Sequence, residues 1–357
     1  MNLEPRKNPE AKSLTEEELK KRFVRRFIDP IYDEHRSAIE ALADLAWKAH
    51  EDNHKAPRTS KAGEGFADPT YDLSDEWRDA SHAIKQAQAL QKDAQQPSNV
   101  LLISAADRND QSCPGEISKT RRLVSLAKEA IEGEGIETTV LDLSEITSEY
   151  GKHIFPCKAC VSTSMPLCHW PCSCYPNYAV DQVHDWMNEI YPMWARAHGV
   201  MIITPVYWYQ APSALKLMID RLVCADGGNP DPTTTQGKKA KLAKEIEMKG
   251  WDYPKHLQGR LFSVIVHGDA EGANQLRSNL QNWLTDLHLL PASISSSFDR
   301  YIGYYEPYAT SHHALDRDEA LQQEVRNAAG ELAQSVKAAR AGQFKSLIPR
   351  YPEPRAK

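Results

Sequence analysis

Long apolar segments are absent from this chain of 357 residues. No run approaches the roughly 20 apolar residues that a membrane-spanning helix requires, so we expect no membrane partner. The first segment, MNLEPRKNPEAKSLTEEELKKR, is charged throughout and lacks the apolar core of a secretory signal peptide. We therefore expect a cytoplasmic location.

An excess of positive charge is absent as well. The formal net charge is −6, and charged residues make up 26% of the chain. Because nucleic-acid binding requires a concentrated basic face, we expect no nucleic-acid partner. The fingerprint G-x-G-x-x-G does not open the first predicted sheet helix, which argues against a Rossmann dehydrogenase. No internal repeat is apparent in the sequence.

The chain does contain an alternation of short apolar runs and helical segments between residues 98 and 300. Short β-branched runs predict buried parallel strands, here over 100–103, 138–143, 200–203, 261–266 and 292–298. Apolar residues at helical spacing predict the intervening helices, among them 181–197 and 276–290. The alternation predicts an α/β fold with a doubly wound, five-stranded parallel sheet in the order 2-1-3-4-5.

The sequence divides into three predicted regions, and the sheet lies in the middle one. Residues 1–97 form a helical N-terminal extension, in which Thr15 and Glu18 have the spacing of a capping box. Residues 98–310 form the sheet domain, and 311–357 form a C-terminal helix and a tail. Between the third and fourth strands, a polar stretch after Asp226 predicts a long loop, of the kind that is often functional or mediates assembly.

The stretch GVMIITPVYWYQAPSALKLMIDRLVCAD, residues 199–226, is the most informative one. A buried strand stops at Pro205, three aromatic residues follow at 207–209, and Pro212 stands where a helix would begin. In an open α/β sheet, ligands bind beyond the carboxyl ends of the strands. An aromatic turn at that place suits a large planar ligand, whereas the alternative is an ordinary strand and helix with surface aromatics.

Polar or small residues also follow the first and fourth predicted strands. After the first strand, the loop from Ser104 to Thr120 leads into a helix, whose N-terminal N–H groups and dipole suit a phosphate. The fourth strand ends in the loop from His267 to Gly272, where small residues let the backbone approach a ligand. For His267, an ordinary loop histidine is the alternative.

Together, TPVYWYQAPSALKLMIDR, the SKT turn before the first sheet helix and the His267 loop resemble the flavodoxin-like, FMN-dependent NAD(P)H oxidoreductases, a family that includes iron–sulfur flavoproteins. The resemblance covers the sheet region and implies a flavodoxin-like fold with FMN as cofactor and NAD(P)H as co-substrate. The cofactor-binding residues that it implies are Ser104, Arg108, Ser118, Lys119, Thr120, Pro205, Val206, Tyr207, Trp208, Tyr209, His267, Gly268, Asp269 and Gly272. The phosphate loop is several residues longer than the family pattern, which leaves the role of Arg108 open.

Five of the seven cysteines fall in one stretch, FPCKACVSTSMPLCHWPCSCYPN. The candidate metal ligands are Cys157, Cys160, Cys168 and Cys172, or Cys174 in place of Cys172. The stretch resembles the cysteine loop that binds a four-iron cluster in iron–sulfur flavoproteins. Those proteins have a third cysteine three residues after the second, where this chain has Thr163. No metal, an iron–sulfur cluster and zinc therefore all remain open at this point.

The function that this resemblance implies is an oxidoreductase, in which NADH or NADPH reduces FMN and a small acceptor such as a quinone reoxidises it. No side chain is expected to act as a catalytic acid or base. The alternative is a flavin electron carrier or redox-responsive protein without nicotinamide turnover, which the cysteine stretch favours. The family resemblance also implies a homodimer or homotetramer, with segments Tyr301–Tyr308 and 227–258 near the interface.

Overall fold

The structure, a computed structural model, describes residues 3–7, 14–304 and 306–344. Its contacts divide the chain into two compact units, each assembled from three segments. The cysteine unit comprises Met1–Arg78, Lys158–Asp185 and Asn229–Trp251. The sheet unit comprises Asp79–Cys157, Trp186–Gly228 and Asp252–Lys357. This division is discontinuous along the chain, whereas the three predicted domains are contiguous.

The regular elements alternate along much of the chain. The strands within the described ranges are β1 (Thr59–Lys61), β2 (Asp72–Ser74), β3 (Asn99–Ser104), β4 (Glu137–Asp142), β5 (Gly199–Pro205), β6 (Leu261–Gly268), β7 (Leu290–Pro291) and β8 (Phe298–Tyr301). The α-helices are α1 (Glu16–Val24), α2 (Arg36–Glu51), α3 (Asp75–Lys92), α4 (Lys119–Gly133), α5 (Met187–Arg196), α6 (Ser213–Arg221), α7 (Ala240–Gly250), α8 (Ala273–Asp286), α9 (Ser311–Arg317) and α10 (Glu319–Arg340). None of these helices is both long and apolar enough to cross a membrane.

A parallel sheet forms the centre of the sheet unit. Its order is β4-β3-β5-β6, and both β7 and β8 pair with β6 at the far side. Every residue of β3, β5 and β6 is buried, as expected for parallel strands covered on both faces. The sheet therefore directs the carboxyl ends of three fully buried strands toward one edge, where ligands bind in folds of this type.

The hydrophobic core of the sheet unit includes more of the chain than residues 98–310. Side chains from β3 and β5, such as Val100 and Ile203, pack in one cluster with Leu123 of α4 and Leu332 of α10. Helix α10 has buried apolar residues along its length. Residues 319–340, predicted as part of a separate C-terminal region, therefore contribute to this core, while the predicted tail from 345 onward lies outside the described residues.

The structure corrects the predicted fifth strand, so that the sheet has six strands instead of five. Within 292–298, serine side chains take over bonds that a strand would make through its backbone. The hydroxyl of Ser297 accepts from the Val264 N–H at 2.9 Å, and that of Ser296 accepts from the Ser293 N–H at 3.1 Å. Serine hydroxyls compete in this way with the backbone hydrogen bonds between strands. The segment is therefore irregular, with the short strands β7 and β8 before and after it.

Two further predictions need correction. The helix predicted over 181–197 begins only at Met187, because Tyr178–Val180 forms a 3-10 turn and Asp181 adopts a left-handed conformation with φ 59°. The stretch after Asp226, predicted as a polar loop, contains helix α7. Only Ala243 of that helix is buried, so the apolar periodicity that reveals a helix is weak there.

The cysteine unit has little regular structure and a small core. Helix α1 begins with the predicted capping box, because Thr15 and Glu18 bond reciprocally to each other's backbone. Strands β1 and β2 pair antiparallel, and Leu73 of β2 packs with Ala62 and Trp77. Much of the cysteine segment, Lys158–Asp185, consists of short 3-10 turns and irregular chain.

Candidate functional site

Three loops that the sequence singles out separately meet at one edge of the sheet unit. The hydroxyl of Thr120, in the first turn of α4, lies 2.8 Å from Nε2 of His267 at the end of β6. The Val206 N–H, just after β5, donates to the backbone oxygen of His267 at 2.9 Å. The ends of β3, β5 and β6 thus place these loops around a single crevice, as expected for a ligand site in a doubly wound sheet.

The aromatic turn is a tight reversal held in a strained conformation. Tyr207 and Gln210 exchange two backbone hydrogen bonds, each 2.9 Å long. Trp208 and Tyr209 between them have φ values of 46° and 66°, as in a type I′ turn. Side chains with a Cβ atom pay roughly 1–2 kcal/mol in this region, and such strain is concentrated at functional sites.

The side chain of Trp208 is too exposed to be a packing residue. Its side chain is 95% exposed, while Tyr209 is 61% and Tyr207 36% exposed. The alternative of ordinary surface aromatics does not explain why the most exposed tryptophan occupies a left-handed position. After this turn, Pro212 is the N-cap of α6 and not its first residue as predicted, and the carboxylate of Asp107 accepts from the Ser213 hydroxyl at 3.1 Å.

Two glycines let the loop after β6 approach the aromatic turn. A Cβ atom on Gly272, where φ is +106°, would lie 2.9 Å from Cα of Tyr209. A Cβ atom on Gly268 would lie 2.6 Å from a side-chain methyl of Val206. Contacts this short are not tolerated, so any other residue would push the two segments apart.

His267 is a buried, neutral residue at the end of a strand and not an ordinary loop histidine. Burial, together with the nearby ammonium group of Lys119, lowers its pKa to about 3. Nε2 faces Thr120, whereas Nδ1 has no hydrogen-bond partner among the described residues. If the Thr120 hydroxyl donates to Nε2, Nδ1 carries the hydrogen and remains available as a donor.

The start of α4 combines a helix N-terminus with a buried cation. The hydroxyl of Ser118 caps the helix by accepting from the Arg121 N–H at 3.1 Å. Lys119 is only 7% exposed, and its Nζ donates to the Ser311 hydroxyl at 2.7 Å. Burial lowers the pKa of Lys119, while the carboxylate of Asp269 opposes that shift. Positive charge and unpaired helical N–H groups therefore coincide, as at an anion site.

Arg108 lies at the same end of the crevice. Its guanidinium group pairs with Glu116 through one terminal nitrogen, while Nε has no partner among the described residues. The ring of Tyr308 lies 5.6 Å from the Arg108 guanidinium carbon and 4.5 Å from Nζ of Lys119. The long loop thus folds back toward α4 and brings Arg108 close to the predicted phosphate position.

The prediction from sequence missed three residues of this site, namely Asp107, Tyr308 and Ser311. In the sequence, Asp107 is indicated only by its position next to Arg108. Tyr308 and Ser311 are indicated only by the aromatic composition of YIGYYEPYATSHH. Of the predicted residues, Ser104 ends β3 with a buried hydroxyl that has no partner in the described part of the chain. Pro205 ends β5 in register with His267.

The candidate metal ligands of the cysteine stretch are not grouped as a metal site within the described residues. Cys157 belongs to the sheet unit, whereas Cys160, Cys168, Cys172 and Cys174 belong to the cysteine unit. Across the described ranges, no three His, Cys, Asp or Glu side chains are grouped so that they could hold a metal ion. The ammonium group of Lys238 interacts electrostatically with all four cysteines of the latter unit. Because like charges repel, an ammonium group among these thiols disfavours the binding of a metal cation there.

Two of these thiols are close neighbours. Sγ of Cys160 lies 3.4 Å from Sγ of Cys174 and 3.7 Å from Nζ of Lys238. The hydrogen bond from Cys174 lowers the pKa of Cys160 to about 7, and Lys238 contributes to the shift, although burial opposes it. The same bond raises the pKa of Cys174.

The comparison with protein families identifies a match over the middle of the chain. The family model described as NADPH-dependent FMN reductase matches residues 98–300, which is more than half of the chain. The chain belongs to this family. The match includes the ends of β3, β5 and β6 with the loops that follow them, but not Tyr308 and Ser311. The predicted resemblance to flavodoxin-like FMN reductases is thereby confirmed.

Among curated proteins, the chain is similar to an iron–sulfur flavoprotein from Methanosarcina thermophila, with 28% identity over 121 residues. That alignment covers 34% of this chain and spans half the length of the relative. Among solved structures, the chain is similar to RosB with a bound 8-demethyl-8-formylriboflavin-5'-phosphate, with 16% identity, a TM-score of 0.46, and coverage of 68% of this chain and 81% of RosB. It is also similar to an NADH:FMN oxidoreductase, EmoB, with 13% identity, a TM-score of 0.40, and coverage of 71% and 97%.

The residues of the crevice fit FMN. Three of the buried polar atoms that have no partner within the described part of the chain lie in these loops, namely Oγ of Ser104, Nε of Arg108 and Nδ1 of His267. Leaving such atoms without a hydrogen bond costs roughly 1–3 kcal/mol each, which a polar ligand would recover. A phosphate suits the start of α4 with Lys119, and a flat ring suits the exposed indole of Trp208.

Proposed function

We propose that this chain binds one FMN in the crevice of the sheet unit and oxidises NADPH or NADH, with a small acceptor such as a quinone receiving the electrons. The observation that supports this most is the aromatic turn. It presents Trp208, 95% exposed and held at φ 46°, at the carboxyl edge of the sheet, next to the loop from His267 to Gly272. An exposed, strained aromatic residue at this place is explained by a planar ligand.

Each loop has a distinct task in this proposal. The N–H groups at the start of α4, with Ser118 and the ammonium group of Lys119, hold the phosphate. The imidazole of His267, neutral and fixed by Thr120, donates from Nδ1 to the polar edge of the ring. The turn around Trp208 supplies the flat surface that orients the ring.

FMN, when bound, supplies the hydride-accepting chemistry. The chain itself contributes placement and electrostatics. Because burial keeps the pKa of His267 at about 3, this imidazole does not exchange a proton at neutral pH and serves as a fixed dipole. Lys119 supplies the positive charge at the phosphate end, balanced in part by Asp269. No side chain in the crevice needs to act as a catalytic acid or base.

A spectroscopic experiment tests this function. The purified protein is saturated with FMN, freed of excess cofactor, and mixed with NADPH or NADH without oxygen. We expect one FMN per chain, bleaching of its absorbance by the nicotinamide, and recovery of the absorbance on addition of benzoquinone. Retention of FMN without bleaching by either nicotinamide would instead identify an electron carrier. Failure to retain FMN would overturn the assignment of the crevice.

We also propose that the protein is a homodimer or homotetramer. Apolar side chains remain exposed in the sheet unit, among them Ile294 at 73% and Tyr304 at 42%. The second of these lies within the segment Tyr301–Tyr308, which we place near the interface together with 227–258; Tyr305 of the first segment lies outside the described residues. Light scattering at micromolar concentration tests this proposal, and the mass of a single chain would contradict it.

A further inference from the structure

Two thiols of the cysteine unit lie close enough to react with each other. Sγ of Cys160 and Sγ of Cys174 are 3.4 Å apart, compared with roughly 2.0 Å in a disulfide. All seven cysteines of the chain are thiols in the structure, and both members of this pair are half-buried. A small movement of the two side chains is therefore enough to bring the sulfur atoms into bonding distance.

A lysine lies in hydrogen-bond contact with one member of the pair. Nζ of Lys238 lies 3.7 Å from Sγ of Cys160 and is anchored by a 2.8 Å hydrogen bond to the backbone oxygen of Leu167. A cation at this distance offsets the negative charge of an attacking sulfur atom. Cys160 is therefore the better nucleophile, and Cys174 is placed to react second.

A cavity of about 540 Å³ in the same unit gives a ligand access to these sulfur atoms. Its volume falls in the range of about 300–1,000 Å³ that small-molecule sites occupy. Its wall includes both cysteines and one carboxylate, that of Asp72, which pairs with Lys61 at 2.9 Å. The wall also combines aromatic with cationic side chains, namely Tyr71, Trp77, Tyr175, Lys55, Lys158 and Lys238. Such a lining suits a small ligand that carries both apolar surface and carboxylates.

We propose that Cys160 and Cys174 form a thiol–disulfide exchange site for a small organic disulfide that bears carboxylates. The sulfur of Cys160, having lost its proton, attacks one sulfur of the disulfide and releases the first thiolate of the ligand. The sulfur of Cys174 then attacks Cys160 and releases the second thiolate. The two cysteines are oxidised to one disulfide, the ligand is reduced to two thiols, and the two cysteine protons pass to these products.

This chemistry requires neither flavin nor nicotinamide, so it is independent of the reductase function proposed above. The probe is 5,5′-dithiobis(2-nitrobenzoic acid), a small aromatic disulfide with two carboxylates. The full-length protein is reduced, freed of reductant under chelator and without oxygen, and mixed with the probe. Mass spectrometry of the tryptic peptide 159–196, which contains both cysteines together with Cys168 and Cys172, then reports the state of each sulfur.

We expect this peptide to be lighter by two hydrogens, with a disulfide that fragmentation assigns to Cys160 and Cys174 and with no probe attached to either. Cys113, which is exposed in the sheet unit, serves as the internal reference and should keep the probe as a mixed disulfide. Probe retained on both Cys160 and Cys174 of the parent protein would overturn the proposal. So would a metal in the purified protein whose removal is needed before either cysteine reacts.

Variants resolve the order of the two steps. Cys174→Ser should stop the reaction with probe attached to Cys160, and Cys160→Ser should prevent formation of the disulfide. Lys238→Met should slow release of the first thiolate severalfold. Far-UV circular dichroism checks that each variant is folded, and the result for the parent protein stands whether or not they are. Release of the first thiolate at the parent rate from Cys160→Ser, with probe on Cys174, would contradict the assigned nucleophile.

Discussion

The two units of this chain differ in how they position reactive groups. In the sheet unit, fully buried strands β3, β5 and β6 end together, so the loops that follow them are positioned by the ladder. In the cysteine unit, the thiols lie on short turns and irregular chain between Lys158 and Asp185. In a parallel sheet, the order of the strands in the sequence predicts where the loops at their carboxyl ends lie. Irregular chain offers no such rule.

The largest expected effect is acid sensitivity of the sheet unit. Burial lowers the pKa of His267 to about 3 and that of His198 to about 4, from an ordinary value of 6.5. At a pH between the folded and the unfolded pKa, the unfolded chain binds more protons than the folded protein. The free energy of unfolding therefore decreases as the pH falls below 6.5, and this contribution is fully present above that pH. Each histidine contributes about 1.4 kcal/mol per pH unit in this window. Urea unfolding at several pH values between 4.5 and 7 measures the slope.

The matched variants for this test are His267→Asn and His313→Asn. The first should reduce the slope by the contribution of one histidine, although it also lowers stability overall. The second replaces a histidine that is exposed on α9 and should leave the slope as in the parent protein. An unchanged slope in His267→Asn would show that this imidazole is not kept neutral by burial.

The next effect concerns the phosphate end of the crevice. Lys119→Met removes a buried ammonium group while keeping much of its apolar volume. Because hydrogen bonds to charged groups are worth roughly 1.5–3 kcal/mol, the affinity for FMN should fall about tenfold to a hundredfold. Titration of apoprotein with FMN, followed by flavin fluorescence, measures this. Lys128→Met, an exposed position on the same helix, is the control and should bind as the parent does; equal affinities of both variants would move the phosphate elsewhere.

A smaller effect is expected from the bond that joins two of the loops. Thr120→Val keeps the shape of the side chain but leaves Nε2 of His267 without its partner. A buried polar atom left unsatisfied costs roughly 1–3 kcal/mol, so the free energy of unfolding should fall by that amount. Thr285→Val, on the exposed side of α8, removes a hydroxyl that water can replace and should change stability little. Equal losses in the two variants would mean that the loops are not tied through Thr120.

The smallest effect should be a gain in stability. Trp208→Gly relieves the left-handed conformation of an exposed residue, which should raise the free energy of unfolding of the apoprotein by roughly 0.5–1 kcal/mol after the entropy of glycine is counted. The same change should weaken FMN binding. Urea unfolding of the apoprotein checks the first part, and a loss of stability would show that the indole packs against the protein.

The sequence predicts three loops that the structure brings together, because each loop follows the end of a strand. The apolar runs ending at Ser104, Pro205 and His267 predict where three loops begin, and the parallel pairing then brings them together. Sequence reasoning could not find Tyr308 and Ser311, which reach Lys119 from a segment nearly two hundred residues away. No local pattern encodes a contact of that kind.

The error in the predicted fifth strand has a local physical cause. The serines between residues 293 and 297 use their hydroxyls to bond backbone, so a run of strand-forming residues does not become one strand. The metal-ligand hypothesis rests on cysteine spacing, which does not reveal the lysine beside these thiols. Lys238 lies far from Cys160 along the chain, and its charge changes what the thiols can bind. In irregular chain, the spacing of cysteines along the sequence therefore does not by itself predict a metal site.

Stopped-flow reduction of flavin-saturated Trp208→Ala by NADPH is the most direct test of the claim that the aromatic turn orients FMN. Misplacing a ring spoils the approach geometry on which rate depends steeply, so reduction should slow by about tenfold or more. Trp208→Phe keeps an aromatic face and should stay near the parent rate, with stacking worth roughly 0.5–1.5 kcal/mol retained in binding. A parent-like rate in the saturated alanine variant would remove the turn from the active site and contradict the account.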